Sequence, residues 1–172
     1  AETSEAAYPA DLDASAWYYD AAVYVLDNGI MNGTDAGFEA SAHVTRATVY
    51  QVLYNLEGAP AVESSAVTDV DGHWYADAIN WAAQAGLFTG TAFGGDAVIT
   101  RAGIADIIAS YAAYKGILVD TSGMAMQEAP DYASIPADSL EGMTFCFYAG
   151  VMTGDQEGNL NPNGQLTRAE FA

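Results

Sequence analysis

The tripeptide Thr-Arg-Ala occurs three times in the chain and holds most of its positive charge. The sequence has 172 residues, with four Lys plus Arg against 23 Asp plus Glu. Three of these four cations lie in the tripeptide, and only Lys115 lies elsewhere. A need for solubility would scatter positive charge over the surface, so the repeated placement predicts that these arginines bind an anion. The copies are Thr45-Arg46-Ala47, Thr100-Arg101-Ala102 and Thr167-Arg168-Ala169.

The chemistry of the tripeptide suits a carboxylate or a phosphate. Thr is a good N-cap residue, the N-terminus of a helix carries about half a positive charge, and Arg adds a planar fork of donors. We predict that helix N–H groups and the guanidinium bind the anion together. The alternative is that each Arg pairs with a nearby acid and holds the repeats together, and the two interpretations are compatible.

Composition excludes several classes of partner. The formal net charge is -19, which repels nucleic-acid phosphates and anionic membrane surfaces over about one Debye length, roughly 8 Å. We therefore expect no nucleic-acid partner. No apolar run approaches the roughly 18 residues of a membrane-spanning helix, so we also expect no membrane insertion. Hydrophobic residues make up 51% of the chain, which is enough for a packed core.

Residues with metal or redox chemistry are few. Cys146 is the single cysteine, and its aromatic neighbours predict a buried core residue more than a reactive thiol. Neither His43 nor His73 has a second His or a Cys at ligand spacing, so we predict no zinc site and no cofactor. The acid-rich loops at Asp35 and Asp155 lack the acid pattern of a calcium-binding loop, which favours solvated turns.

A repeated order of elements surrounds each tripeptide. A Gly-x-x-x-Gly turn precedes each Thr-Arg, and its first glycine is placed to end a helix. Each unit therefore reads as helix, glycine turn, variable loop and Thr-Arg helix, which predicts a mostly α fold of three helix-loop-helix repeats. The turns are Gly29 to Gly33, Gly86 to Gly90 and Gly150 to Gly154, and the repeats are 8–58 (repeat 1), 66–116 (repeat 2) and 130–172 (repeat 3).

The apolar pattern also places the helices. The first helices should span Trp17–Asn28, Trp74–Ala85 and about Asp138–Ala149, and the second helices should begin at the three Thr residues. Repeat 3 has a divergent start and a second helix of only about six residues. Residues 1–7 read as a frayed polar start. The sequence begins at Ala1 without an initiator Met, which fits either a mature terminus left after a signal peptide is cut or a trimmed chain, and we expect export.

These motifs resemble those of the S-layer homology domain, which is usually present as three consecutive copies in bacterial surface proteins. The resemblance covers residues 8–172 in the expected order. It is carried by Thr68-Asp69-Val70, His73-Trp74, Gly150-Val151-Met152-Thr153-Gly154, Asn161-Pro162 and Leu166-Thr167-Arg168-Ala169-Glu170-Phe171.

The resemblance implies a pseudo-threefold prong of helices. It further implies that grooves between the repeats bind secondary cell-wall polysaccharide, commonly through a pyruvylated sugar. The site residues that it implies are the arginines Arg46, Arg101 and Arg168, the groove aromatics Trp17 and Trp74, the lead-in acids Asp11 and Asp69, and the turn glycines Gly33, Gly90 and Gly154. The sequence departs from the family pattern at Thr48 and Gly103, where the family has Glu, and at Asp138, where it has Trp.

The two tryptophans have a second interpretation, because a Trp that opens an amphipathic helix is often a core residue and not a platform for a sugar ring.

The sequence thus predicts a non-catalytic, extracellular module that binds an anionic polysaccharide of the bacterial cell wall or S-layer surface. A second hypothesis is a self-assembling subunit of a surface lattice or filament that binds other copies of itself. A glycoside hydrolase is the third hypothesis, since carboxylates are abundant, but they are scattered through loops and no pair is singled out.

Overall fold

A computed structural model describes residues 8–172 and confirms the mostly α fold. Extended backbone within that range pairs only at isolated bridges. The predicted frayed start at residues 1–7 lies outside the described residues. The helices are α1 (Tyr19–Asp27), α2 (Arg46–Leu56), α3 (Ala76–Gln84), α4 (Arg101–Tyr114), α5 (Leu140–Tyr148) and α6 (Arg168–Phe171), with short 3-10 turns at Ala125–Glu128, Tyr132–Ser134 and Ala137–Ser139.

The first helix of each repeat begins two residues later than the sequence predicted. Trp17 and Trp74 lie in turns before α1 and α3, and Asp138 lies in a 3-10 turn before α5. No side-chain cap fixes these starts, so the first turn is not held in α geometry. The ends agree with the prediction, because the glycine after each helix adopts a left-handed φ of 64°, 74° or 72° at Gly29, Gly86 and Gly150.

The second helices begin where predicted, each at a Thr that caps the helix. The Oγ1 atom of Thr45 accepts a hydrogen bond from the N–H of Thr48 at 3.3 Å. Thr100 and Thr167 accept equivalent bonds at 3.1 Å and 3.3 Å. In repeat 3 the Glu170 side chain accepts from the Thr167 N–H at 2.8 Å, which completes a capping box.

Apolar packing joins the second helix of one repeat to the first helix of the next. Helix α2 packs against α3, and α4 packs against α5. Phe171 at the end of α6 packs against the core cluster that α1 contributes to. Cys146 is fully buried between α4 and α5, which confirms the prediction of a core cysteine.

Backbone pairing near the Thr-Arg motifs connects the repeats in the same order. Isolated bridges join Thr45 to Val98, Thr100 to Gln165 and Thr167 to His43. The contacts therefore run from repeat 1 to repeat 2, from repeat 2 to repeat 3, and from repeat 3 back to repeat 1. The pseudo-threefold symmetry implied by the resemblance stays a prediction.

Candidate functional site

The three arginine side chains extend from one repeat into the variable loop of the next. Arg46 donates from Nη1 to the Phe93 carbonyl at 3.0 Å. Arg101 donates from Nε to the Leu160 carbonyl at 2.9 Å, and Arg168 donates from Nε to the Phe38 carbonyl at 2.7 Å. Each arginine thus fixes the loop of its neighbouring repeat.

Arg101 and Arg168 make a second bond to a glycine turn. The Nη2 atom of Arg101 donates to the Thr153 carbonyl at 3.2 Å, and that of Arg168 donates to the Asn32 carbonyl at 2.8 Å. A guanidinium has five N–H donors, and these bonds use one on Nε and one on Nη2. The Nη1 atoms have no hydrogen-bond partner among residues 8–172. The Nη1/Nη2 edge can therefore receive a carboxylate with two parallel bonds.

The helix N–H groups do not face an open anion site, so that part of the sequence prediction is wrong. In α2 the N–H groups of Arg46 and Ala47 donate to the carbonyls of Ala97 and Gly95 at 3.0 Å and 3.1 Å. The same two positions of α4 and α6 donate to loop carbonyls of the next repeat at 2.8 to 2.9 Å. The third N–H of each helix donates to the capping Thr. The next repeat satisfies the donors that a helix start leaves unpaired.

Pairing between arginine and acid does not hold the repeats together in the described part of the chain. The ion pair found along residues 8–172 joins Lys115 to Glu57 at 2.8 Å. The Tyr111 hydroxyl also donates to Glu57, and the Lys115 ammonium and this hydroxyl hold the pKa of the Glu57 carboxyl below its usual range. The alternative interpretation is thus wrong about acids, although the arginines do join repeats through backbone carbonyls.

Asp11 and Asp69 hold the loops that the arginines reach. Asp11 accepts from the N–H groups of Phe38 and Glu39 at 2.8 Å and 2.7 Å. Asp69 accepts from consecutive N–H groups of its own loop, at Phe93 and Gly94. These bonds hold the pKa of both carboxyls below their usual range. Their role as ligand contacts stays a prediction.

Asp131 is the corresponding residue of repeat 3, and the sequence analysis missed it. Its carboxylate accepts from the N–H groups of Leu160 and Asn161 at 2.8 Å and 2.7 Å. The signal was its distance from the glycine turn, since Asp131 precedes Gly150 by nearly the spacing at which Asp11 precedes Gly29. One loop residue in each repeat therefore donates its N–H to an Asp and offers its carbonyl to an Arg.

Trp17 and Trp74 are exposed, so the interpretation as core residues is wrong. Their side chains are 75% and 63% exposed. Each ring stands edge-on to the aromatic ring of the following residue, with centroids 5.5 Å and 5.2 Å apart. Each also borders a cavity that an arginine of a different repeat lines.

The cavity at Arg168, here called the Arg168 groove, has a volume of about 550 Å³. Asn32 and Gly33 from the glycine turn, Trp74 from repeat 2 and Arg168 from repeat 3 all line it. His43 also lines it, at an exposed position. Residues of all three repeats thus form this groove.

The Arg101 groove consists of two adjoining cavities of about 420 and 300 Å³. Both are lined by Arg101, by Thr153 of the glycine turn and by Glu170. Trp17 borders the smaller cavity, so this groove also combines an arginine, a turn and an exposed ring from three repeats. The Asp155 side chain on its rim accepts from backbone and side-chain amides of its own loop, as expected for a solvated turn.

The turn glycines allow backbone to approach backbone beside these grooves. A Cβ atom on Gly154 would lie 3.1 Å from the Gly158 carbonyl, and one on Gly33 would lie 3.2 Å from the Gly37 oxygen. Gly90 has a φ of 147°, which side-chain-bearing residues rarely adopt. Contact of these three glycines with a ligand stays a prediction.

The fold and the site together define a helical protein with cavities that are lined by residues of several repeats. A family model described as the S-layer homology domain matches residues 10–49, 68–102 and 130–172. These matches cover more than half of the chain, which therefore belongs to the S-layer homology domain family. A comparison with curated proteins found no match.

Domains of this family are generally non-catalytic modules that anchor proteins to the bacterial cell wall by binding secondary cell-wall polymers, and they are associated with cell-surface and S-layer proteins. No helix within residues 8–172 combines the length and the apolar character needed to cross a membrane.

Proposed function

We propose that this chain is a non-catalytic surface anchor that binds a pyruvylated secondary cell-wall polysaccharide in the Arg101 and Arg168 grooves. The observation that supports it best is the open Nη1/Nη2 edge of Arg101 and Arg168 beside an exposed tryptophan. Such an edge recognises a carboxylate, and a tryptophan face recognises a sugar ring.

The roles of the residues follow from the geometry. The guanidinium of Arg168 would bind the carboxylate of the pyruvate group, and Trp74 would stack on the ring that carries it. The turn at Asn32 and Gly33 would contact the other edge of the sugar through its backbone. In the Arg101 groove the same roles would fall to Arg101, Trp17 and the turn at Thr153.

Each groove presents one guanidinium beside two carboxylates, Glu39 and Asp96 at Arg168 and Asp155 and Glu170 at Arg101, so attraction for an anion is confined to the open guanidinium edge. The chain carries a net charge of -19, so long-range forces oppose an anionic polymer until salt screens them. A neutral sugar lacking the carboxylate would lose the bidentate contact with arginine. Two grooves on one chain would add avidity, because the second binding event is intramolecular.

Co-sedimentation with purified bacterial cell wall tests this function. The native chain should pellet with wall that retains its non-peptidoglycan polymer, and it should stay in the supernatant after that polymer is stripped. Arg168→Ala and Arg101→Ala should each reduce pelleting. Lys115→Gln is the matched control, because it removes the same charge at an ion pair outside the two grooves.

Two results would contradict the proposal: pelleting that survives removal of the polymer, or a loss in Lys115→Gln as large as in the arginine variants. Light scattering at rising protein concentration, without wall, distinguishes wall binding from self-assembly into a lattice.

A further inference from the structure

Arg46 differs from the other two arginines in what covers its guanidinium. Its Cζ atom lies 5.0 Å from the centroid of the Phe93 ring and 6.0 Å from that of the Phe88 ring. Arg168 has one comparable ring, Phe38 at 5.2 Å. Phe38 and Phe93 hold the same place in their loops, since each bonds to an Asp and to an Arg. Phe88 is therefore the additional ring.

Phe88 lies in the glycine turn of repeat 2, at the position that Met31 and Met152 hold in the other turns. Those methionines are 3% and 6% exposed and point into core clusters. Phe88 is only partly buried, and its ring stands edge-on to Phe93 and Tyr50 at 5.4 Å and 6.4 Å. A flexible Met fills an irregular core gap, whereas this ring packs on the core cluster of repeat 2 and also lies against the arginine.

The hydrogen bonds of Arg46 also differ from those of the other two arginines, but they do not by themselves close its edge. Arg46 donates from Nη1 to the Phe93 carbonyl. Arg101 and Arg168 donate from Nε and Nη2 and leave Nη1 without a partner in the described chain. One nitrogen of the Nη1/Nη2 edge therefore donates to a backbone carbonyl at each of the three arginines, and what distinguishes Arg46 is the second ring against its guanidinium.

We propose that Phe88 closes the groove at Arg46, so that the chain binds ligand in two grooves and not in three. This inference rests on the proposed function, and it assigns a residue that sets the number of sites. Asp138 stands at the sequence position that Trp17 and Trp74 hold in the other repeats, so the closed groove also lacks its aromatic platform. Phe88 and Asp138 together lower the valency with which one chain engages the wall.

Native mass spectrometry can count the sites with a defined probe, a methyl hexopyranoside that carries a pyruvate ketal. The native chain should bind two equivalents. The double variant Phe88→Met/Asp138→Trp gives the Arg46 groove the same residue types as the other two grooves. Repeat 2 then has a Met in its glycine turn, and repeat 3 has a Trp before its first helix. This variant should bind three equivalents of the probe. Asp138→Trp alone is the matched control and should stay at two, because the ring of Phe88 remains in place.

Adding Arg46→Ala to the double variant should return the count to two, which assigns the new site to Arg46. Thermal unfolding of every variant confirms that each is folded. If the native chain binds three equivalents of the probe, Phe88 does not close the groove at Arg46, and the proposed function still stands. A folded double variant that stays at two, or a third site insensitive to Arg46→Ala, would also overturn it. Absence of binding to every variant would overturn both proposals.

Discussion

The junction between repeats 2 and 3 and the junction between repeats 3 and 1 share their hydrogen bonds but differ in their packing. In the first, α4 lies against α5 around a core that includes Ile104, Met143 and Cys146. In the second, the four-residue α6 contributes Phe171 to a cluster with four buried members and to the edge of the α4–α5 core. We infer that the arginine-to-carbonyl bonds give the two junctions a similar geometry, while the apolar helix faces determine how strongly each junction holds.

Hydrogen bonds to backbone carbonyls follow the same pattern at both junctions. The N–H groups of the first two residues of α4 and α6 donate to loop carbonyls, and the arginine side chain bonds one more loop carbonyl and one turn carbonyl. Polar bonds gain only about 0.5–1.5 kcal/mol each against water. Apolar burial of a large side chain contributes about 1.5–3 kcal/mol. We therefore expect the junction of repeats 3 and 1 to open first.

The largest expected effect comes from truncating a buried methionine in each junction. Met143 is 1% exposed between α4 and α5, and Met31 is 3% exposed in the cluster near α6. Met143→Ala should lower the free energy of unfolding by about 2–5 kcal/mol, and Met31→Ala should lie at the lower end of that range because its small cluster can collapse more readily. Urea denaturation measures both free energies of unfolding, and a larger loss at Met31 would contradict the expected weakness of the junction between repeats 3 and 1.

Removing an arginine should have the next largest effect, and a local one. Arg168→Ala leaves two carbonyls without a guanidinium, at a cost of about 1–2 kcal/mol, and packing at its junction offers little compensation. Amide hydrogen exchange should therefore accelerate more at Ala169 in Arg168→Ala than at Ala102 in Arg101→Ala. Equal acceleration would show that apolar packing does not distinguish the two junctions.

A smaller effect concerns Asp106, which lies against α5 and accepts from the Ser139 hydroxyl at 2.6 Å. Burial raises the pKa of the Asp106 carboxyl, a shift that the Ser139 bond opposes and that Asp138 reinforces. Because the folded state favours the protonated form, stability should rise as the pH falls from neutral through the raised pKa, and the ionised form costs stability above it.

Asp106→Asn mimics the protonated form, so it should be more stable than the native chain at neutral pH and should lose this advantage on acidification. Thermal melts of both proteins between neutral and mildly acidic pH measure the difference. A variant that is less stable than the native chain at neutral pH would contradict this account of the junction between repeats 2 and 3.

The last prediction concerns the alkylation rate of Cys146, which we expect to stay unchanged in one variant. Burial raises the pKa of the Cys146 thiol to about 12, so an alkylating reagent should reach it only when α4 and α5 separate. Arg168→Ala should leave the alkylation rate unchanged, and Met143→Ala should increase it. Faster labelling in Arg168→Ala would show that the two junctions open together.

Features set by a few neighbouring residues were predictable from the sequence. Thr45 caps its helix because a Thr side chain can accept from a helix N–H, and Gly29 ends one because glycine adopts a positive φ. These local rules placed the second-helix starts and the first-helix ends correctly. The two-residue error at Trp17 arose because no side chain caps α1.

The sequence did not predict which carbonyl groups accept hydrogen bonds from the first helix N–H groups and from the arginine side chains. Arg168 bonds the Phe38 carbonyl across 130 residues of sequence, and no local pattern specifies such a partner. The same limit explains why the sequence predicted that helix N–H groups bind an anion. The exposure of Trp17 and Trp74 was not predictable either, because their own helix pattern is equally compatible with burial.

The mixed origin of the Arg168 groove has a mechanical consequence. Asn32, Trp74 and Arg168 come from different repeats, so the sugar that we propose for this groove would connect three parts of the chain at once. Unfolding must release that sugar, and occupancy at 100 times the dissociation constant adds about 2.7 kcal/mol to stability. Molecules attached to their polymer should therefore outlast shed ones in a medium that contains proteases.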